Sequence, residues 1–168
     1  MASEVTILMG SISDREQMAP AMAVLDGLGV SWEAYVTSAH RTPERTETIV
    51  REAEAGGCRV FLCGAGMAAH LAGAVAARTR LPVLGVPLKG GMLDGLDALL
   101  STVQMPPGVP VATFGVGRAG ARNAAFFAAR IVAAHRPEVR EAVERSWRAA
   151  AEKVVASDRE LRKGEGTP

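Results

Sequence analysis

The 168-residue chain is about one domain long, and its 19 Lys plus Arg against 18 Asp plus Glu leave a formal charge of +1. That balance argues against a nucleic-acid binder and against a polybasic membrane anchor. At 48% hydrophobic and 22% charged the chain reads as globular, and at 4% aromatic its core must come from Ala, Val, Leu, Ile and Met, with little to stack on bases.

Val5-Thr6-Ile7-Leu8-Met9 is an apolar, partly β-branched run ending at Gly10, and it predicts the first strand. A helix is expected over 15–28, then a strand from about Trp32 to Thr37. The next helix, over 43–56, has Thr42 as N-cap and Pro43 in the first helical position. Val60 to Cys63 predicts a third strand, followed by a helix over 68–79. Pro82 to Pro87 predicts a fourth, followed by a helix over 94–104. Val109 to Phe114 predicts a fifth, followed by a helix over 120–134. Apolar strands without alternation indicate burial on both faces, as in parallel sheets. Strand–helix alternation then implies an α/β sheet with right-handed crossovers, flavodoxin-like or otherwise doubly wound.

Charge is concentrated at the end: 15 of the last 34 residues are charged. A tail helix over 137–157 carries a narrow stripe of Val139, Ala142, Val143, Trp147, Ala150 and Val154. The chain thus divides into a single domain over 1–134 and a helical extension over 135–168. Trp147 must either fold back on its own sheet or pack on another subunit. The alanine-rich surfaces of the body favour close packing between subunits, hence an oligomer.

Cys58 and Cys63 flank a short apolar run and lack the short-spaced His partners of a zinc site, so they read as buried thiols in a reduced compartment. No stretch approaches the ~20 apolar residues of a membrane helix. Met1-Ala2-Ser3-Glu4 lacks the basic start of a signal peptide, so the expected location is the cytoplasm.

In an open α/β sheet ligands bind where strands end, and four strand ends here are rich in glycine and polar residues. Gly10-Ser11-Ile12-Ser13-Asp14 offers hydroxyls and backbone N–H groups for an anion such as phosphate, without the P-loop lysine. Capping explains it as well, since Ser13 with Glu16 fits a capping box. Asp14 can accept from ribose hydroxyls or merely favour the helix dipole. Ser38-Ala39-His40-Arg41 is sharper: Arg41 suits a bidentate phosphate contact, and His40 can take and give a proton near neutrality. Gly64-Ala65-Gly66-Met67-Ala68-Ala69-His70 allows close approach to the backbone, or is simply a tight turn. His70 alone reads as a structural histidine, and two histidines without a carboxylate partner predict no metal. With no nucleophile elbow and no Cys beside a His, covalent catalysis is disfavoured. What remains is acid–base chemistry by His40 on a small phosphorylated ligand, or a noncatalytic nucleotide- or flavin-binding module.

Several blocks in order narrow this: Met9-Gly10-Ser11-Ile12-Ser13-Asp14, Ser38-Ala39-His40-Arg41-Thr42-Pro43, Gly64 to Leu71, Leu81 to Pro87, Leu99 to Pro106, Gly108 to Thr113 and Gly120 to Ala125. With them the chain resembles the N5-carboxyaminoimidazole ribonucleotide mutases, the bacterial type of aminoimidazole ribonucleotide (AIR) carboxylase. The resemblance implies a flavodoxin-like three-layer α/β/α sandwich with a projecting C-terminal helix, assembled as an octamer that exchanges those helices. It implies a ribonucleotide substrate whose carboxylate moves from the exocyclic amine to ring carbon C4, with no metal, ATP or organic cofactor. By motif, His40 would be the general acid and base. Asp14 would face the ribose, while Ser11, Ser13, Ser38 and Arg41 would bind the nucleotide and its phosphate. Ala65, Gly66, Ala68, Ala69 and Leu71 would form a small apolar pocket for released CO2, with His70 near the reacting carboxylate. The Leu100-to-Pro106 segment would close over the site. The chain departs from the commonest pattern at Met67 (usually Gly), Ala72 (usually Pro), Arg15 (usually aromatic) and Lys89-Gly90-Gly91.

Overall fold

The apolar runs become five strands: β1 (Val5–Met9), β2 (Trp32–Val36), β3 (Val60–Ala65), β4 (Val83–Pro87) and β5 (Ala112–Thr113). The structure is a computed structural model and describes residues 3–164. All pairings are parallel, in the order β2-β1-β3-β4-β5. The helices are α1 (Arg15–Gly27), α2 (Pro43–Ala55), α3 (Leu71–Ala76), α4 (Leu96–Val103), α5 (Arg118–Ala133) and α6 (Pro137–Gly164). This is the flavodoxin-like strand order, and its direction of winding reverses between β1 and β3.

The sheet separates two cores. Val5, Ile7, Met9, Val60 and Leu62 face α1 and α5. Leu8, Phe61 and Cys63 face Ile49 and Val50 of α2 and Leu71 and Val75 of α3. With both faces covered, a strand has no solvent side on which a polar residue would be at home, so β1 reads as continuous apolar sequence. On α5, Ala121, Ala124, Ala125, Ala128 and Ala129 are all buried, and their small side chains let α5 sit close against α1 and the sheet.

Pro20 lies inside α1 and has no N–H to give the Glu16 carbonyl four residues back. Arg118 Nη1 donates to that carbonyl at 2.8 Å, so the freed acceptor is used to tie the start of α5 to α1.

Three predicted boundaries need correction. The fifth strand shrinks from 109–114 to Ala112–Thr113, because Pro107 and Pro110 supply no ladder N–H at this edge of the sheet. The helix expected over 68–79 covers only Leu71–Ala76, since residues 66–69 are used in the turn out of β3. The tail helix runs beyond 157 to Gly164, carried by i,i+4 pairs such as Arg162 with Asp158.

Only the start of α6 packs on its own chain: Val139 is buried, while Trp147 is 61% exposed. Trp147 therefore does not fold back on its own sheet. At the N-terminal edge of the sheet, Glu4 is buried and accepts from Arg136 Nη1 at 2.7 Å, with Arg59 Nε at 3.9 Å and Ser31 Oγ at 3.3 Å. Cys58 and Cys63 are free and buried, and burial pushes both thiols up in pKa, which keeps them protonated and unreactive. Among the described residues, no helix is long and apolar enough to cross a membrane.

Candidate active site

The strands β1 and β3 end side by side in glycines, with the Gly10 N–H donating to the Gly64 carbonyl at 3.2 Å. Gly64 is required there: a Cβ would stand 2.6 Å from the Met18 sulfur. Above this point, where the winding reverses, lies a cleft of about 500 Å³. That volume suits a small ligand.

The first wall is the Gly10–Asp14 turn. The Ser11 N–H donates to Asp14 Oδ2 at 2.9 Å, and the Ser13 N–H donates to Ser11 Oγ at 3.3 Å. The capping box is therefore Ser11 with Asp14, not Ser13 with Glu16, and it caps a single 3-10 turn ahead of α1. Burial pushes the Asp14 carboxyl above its ordinary value, against the lowering by hydrogen bonds from the Ser11 and Gly10 backbones.

The second wall is a loop closed on itself. Thr42 Oγ1 accepts from the Ser38 N–H at 2.9 Å, the Thr42 N–H donates to the Ser38 carbonyl at 2.9 Å, and the Arg41 N–H donates to Ser38 Oγ at 3.2 Å. Thr42 does sit before Pro43 at the start of α2, as expected, but its hydroxyl is spent on this loop rather than on the helix. The loop leaves His40 and Arg41 exposed on the cleft. Among the described residues the Arg41 guanidinium has no ion-pair partner.

The third wall is the turn out of β3, from which Ala65, Gly66, Met67, Ala68, His70 and Leu71 line the cleft. Ala69 is buried behind them. His70 Nδ1 lies 2.7 Å from His40 Nε2, the rings crossing edge to face at 81°. One ring nitrogen must accept and the other donate, so the contact holds with at most one imidazolium in the pair. His70 is thus the direct neighbour of His40.

Met67 has φ +55°, a left-handed conformation that costs a non-glycine residue about 1–2 kcal/mol. A glycine at this position would carry no such cost.

The cleft thus gathers Ser11, Ser13, Asp14, Ser38, His40, Arg41, Ala65, Gly66, Ala68, His70 and Leu71, whereas Ala69, also expected in the apolar pocket, is buried behind its wall. A second expectation is not met within the chain. The Leu100-to-Pro106 segment does not reach the cleft, because its first half is helix α4 and Met105 packs toward Gly73 on α3. Lys89 and Gly90, from the fourth of the strand ends expected to converge on the site, also line the cleft. Gln17 holds that wall in place: its Nε2 donates to the Lys89 carbonyl at 3.0 Å, and its Oε1 accepts from the Lys89 N–H at 2.9 Å. No sequence signal marked this pairing, which spans 72 residues.

Compared with known proteins, residues 4–153 match the family model described as AIR carboxylase. The chain belongs to the AIR carboxylase family. As a member it is an enzyme. A relative in Pseudomonas aeruginosa named N5-carboxyaminoimidazole ribonucleotide mutase is 50% identical over 144 residues, 86% of this chain and 88% of that one. Another of the same name, from Brucella melitensis, is 47% identical over 156 residues, covering 93% and 96%. Among solved structures, the crystal structure of Treponema denticola PurE superposes with a TM-score of 0.85 at 28% identity, over 94% of this chain and 97% of that one.

Proposed function

We propose that this enzyme is an N5-carboxyaminoimidazole ribonucleotide mutase acting in de novo purine biosynthesis, with His40 as general acid and base. The observation that carries the reading is the His40–His70 contact of 2.7 Å in a cleft that also offers Arg41, Ser11 and Ser13 to a phosphate. The names and identities of the relatives point the same way.

The phosphate pairs with the unpartnered Arg41 guanidinium, with Ser11, Ser13 and Ser38 hydroxyls as further donors. Asp14 accepts from the ribose hydroxyls. Protonated His40 gives a ring proton to the carbamate nitrogen, with neutral His70 accepting the hydrogen bond from its other N–H. The N–C bond then breaks, its electron pair staying on nitrogen, and CO2 is released against Ala65, Gly66, Ala68 and Leu71. Carbon C4 of the electron-rich ring attacks CO2, and a C–C bond forms. Neutral His40 removes the C4 proton, which restores the aromatic ring and returns His40 to its starting charge. The sequence is a net isomerisation, with one proton lent and one recovered. No cofactor enters these steps.

The test compares two substrates on the purified enzyme without ATP or added metal: freshly made carbamate ribonucleotide, and AIR with bicarbonate at physiological concentration. The reading expects preference for the carbamate. Preference for AIR with bicarbonate would mean direct carboxylation, and activity on neither would return the chain to a binding module.

The same reading includes a cytoplasmic homo-octamer in which the helical extension expected over 135–168, of which 165–168 lie outside the described residues, packs on neighbouring subunits through the exposed part of α6. The exposed Trp147, Val154 and Leu161 of α6 support it. Sizing in solution tests it, and a monomer would overturn it.

A further inference from the structure

Among the residues lining the cleft, Met67 is the one whose backbone is strained, at φ +55°. Its side chain is 62% exposed, so no core packing repays that strain. Strain of this kind persists where the surrounding structure enforces it, and it clusters at working sites. Two further observations show what the conformation achieves. The Met67 side chain leans across the cleft rim onto the turn after β4: its Cγ is 3.1 Å from where a Cβ would stand on Gly91. Gly91, at φ +69°, is free of that atom and makes room for the thioether arm. The turn it leans on is held on its other side by the paired hydrogen bonds of Gln17 to Lys89, at 3.0 and 2.9 Å. A flexible, apolar, polarizable side chain therefore bridges two loops at the mouth of the cleft, against a fixed support.

We infer that Met67 is a specificity-determining cover, which closes the rim between the third and fourth strand-end loops and slows the escape of a small neutral molecule from the cleft. The inference rests on the mutase reading, in which that molecule is the CO2 freed when the N–C bond breaks and consumed when the C4–C bond forms. An apolar side chain over this part of the rim excludes water from it, and CO2 must outlast one bond-breaking and one bond-forming step beneath it. The left-handed backbone is what aims Met67 along the rim, so the chain gives up some stability to hold the cover.

Two variants separate the cover from the strain. Met67→Gly removes both, whereas Met67→Ala removes the cover and keeps most of the strain. Each is mixed in excess with carbamate ribonucleotide carrying 13C in the transferred carboxylate, in unlabelled bicarbonate buffer, and label in the first-turnover product is read by mass spectrometry. Wild-type enzyme keeps most of the label. Both variants lose it at least about threefold more often, and Met67→Gly melts a few degrees above Met67→Ala. The melting difference is one that a purely structural role also gives; the label loss is not. Equal label retention in all three proteins overturns the inference and leaves the mutase reading standing. Absence of C4-carboxylated product from the wild type overturns the reading, and the inference with it.

Discussion

The two ends of the sheet treat charge in opposite ways. At the N-terminal end Glu4 is buried, and Arg136, Arg59 and Ser31 surround it, so each polar group there meets another. At the C-terminal end, among the described residues, Arg41 is exposed without an ion-pair partner, Asp14 is half-buried without a cation, and the His40 and His70 side chains meet each other. Satisfied charges hold a structure, whereas unsatisfied ones facing a cleft are available to a ligand. The same parallel sheet supplies both, because all five strands point their C-terminal ends the same way.

The division can be broken from either end. The largest effect on substrate binding is expected from Arg41→Met. It removes a charge-assisted contact from the cleft, so KM should rise about 10- to 100-fold, with kcat changed much less and the melting temperature unmoved. Steady-state kinetics beside a thermal melt check it, and a lowered melting temperature would mean that Arg41 is structural.

At the opposite end, Arg136→Met leaves the Glu4 carboxylate buried with one distant cation. Stability should fall, but by less than for a fully buried pair, because Arg136 is partly exposed. Urea unfolding reads that loss, and turnover per folded molecule should not change.

Asp14→Asn sharpens the contrast through pH. Burial raises the folded-state pKa of Asp14, so its charged form costs stability once pH exceeds that raised value, and the cost vanishes below the ordinary carboxylate range. Asn keeps an acceptor for the Ser11 N–H without the charge. The variant should melt slightly higher than wild type at pH 7, and the advantage should disappear toward pH 3, while nucleotide binding weakens. An advantage that persists at low pH would show that charge is not the cause.

Much of this was legible in the sequence. The run Val5 to Met9 identified β1 because a strand buried on both faces has no place for polar residues. The strand-end blocks around Ser11, His40 and Gly66 identified three walls of the cleft, because a parallel sheet collects its C-terminal ends. What escaped was set by contacts between distant residues. His40 meets His70 across 30 residues, Gln17 meets Lys89 across 72, and Glu4 meets Arg136 across 132. His40 stood out in the sequence, but nothing in it pointed to these partners. The Ser13–Glu16 capping box failed for a local reason: Asp14, one turn after Ser11, offers the Ser11 N–H a competing acceptor. The strain at Met67 was hidden too, since backbone angles in a turn depend on what the turn must clear.

The central claim is that His40, at the open end, performs the chemistry while its neighbours hold the substrate. His40→Asn tests it most directly, with nucleotide affinity measured by calorimetry and single-turnover rate measured on the same preparation. The account predicts affinity within about threefold of wild type and a rate lower by at least about 10²-fold. A variant that binds and turns over at the wild-type rate would contradict it.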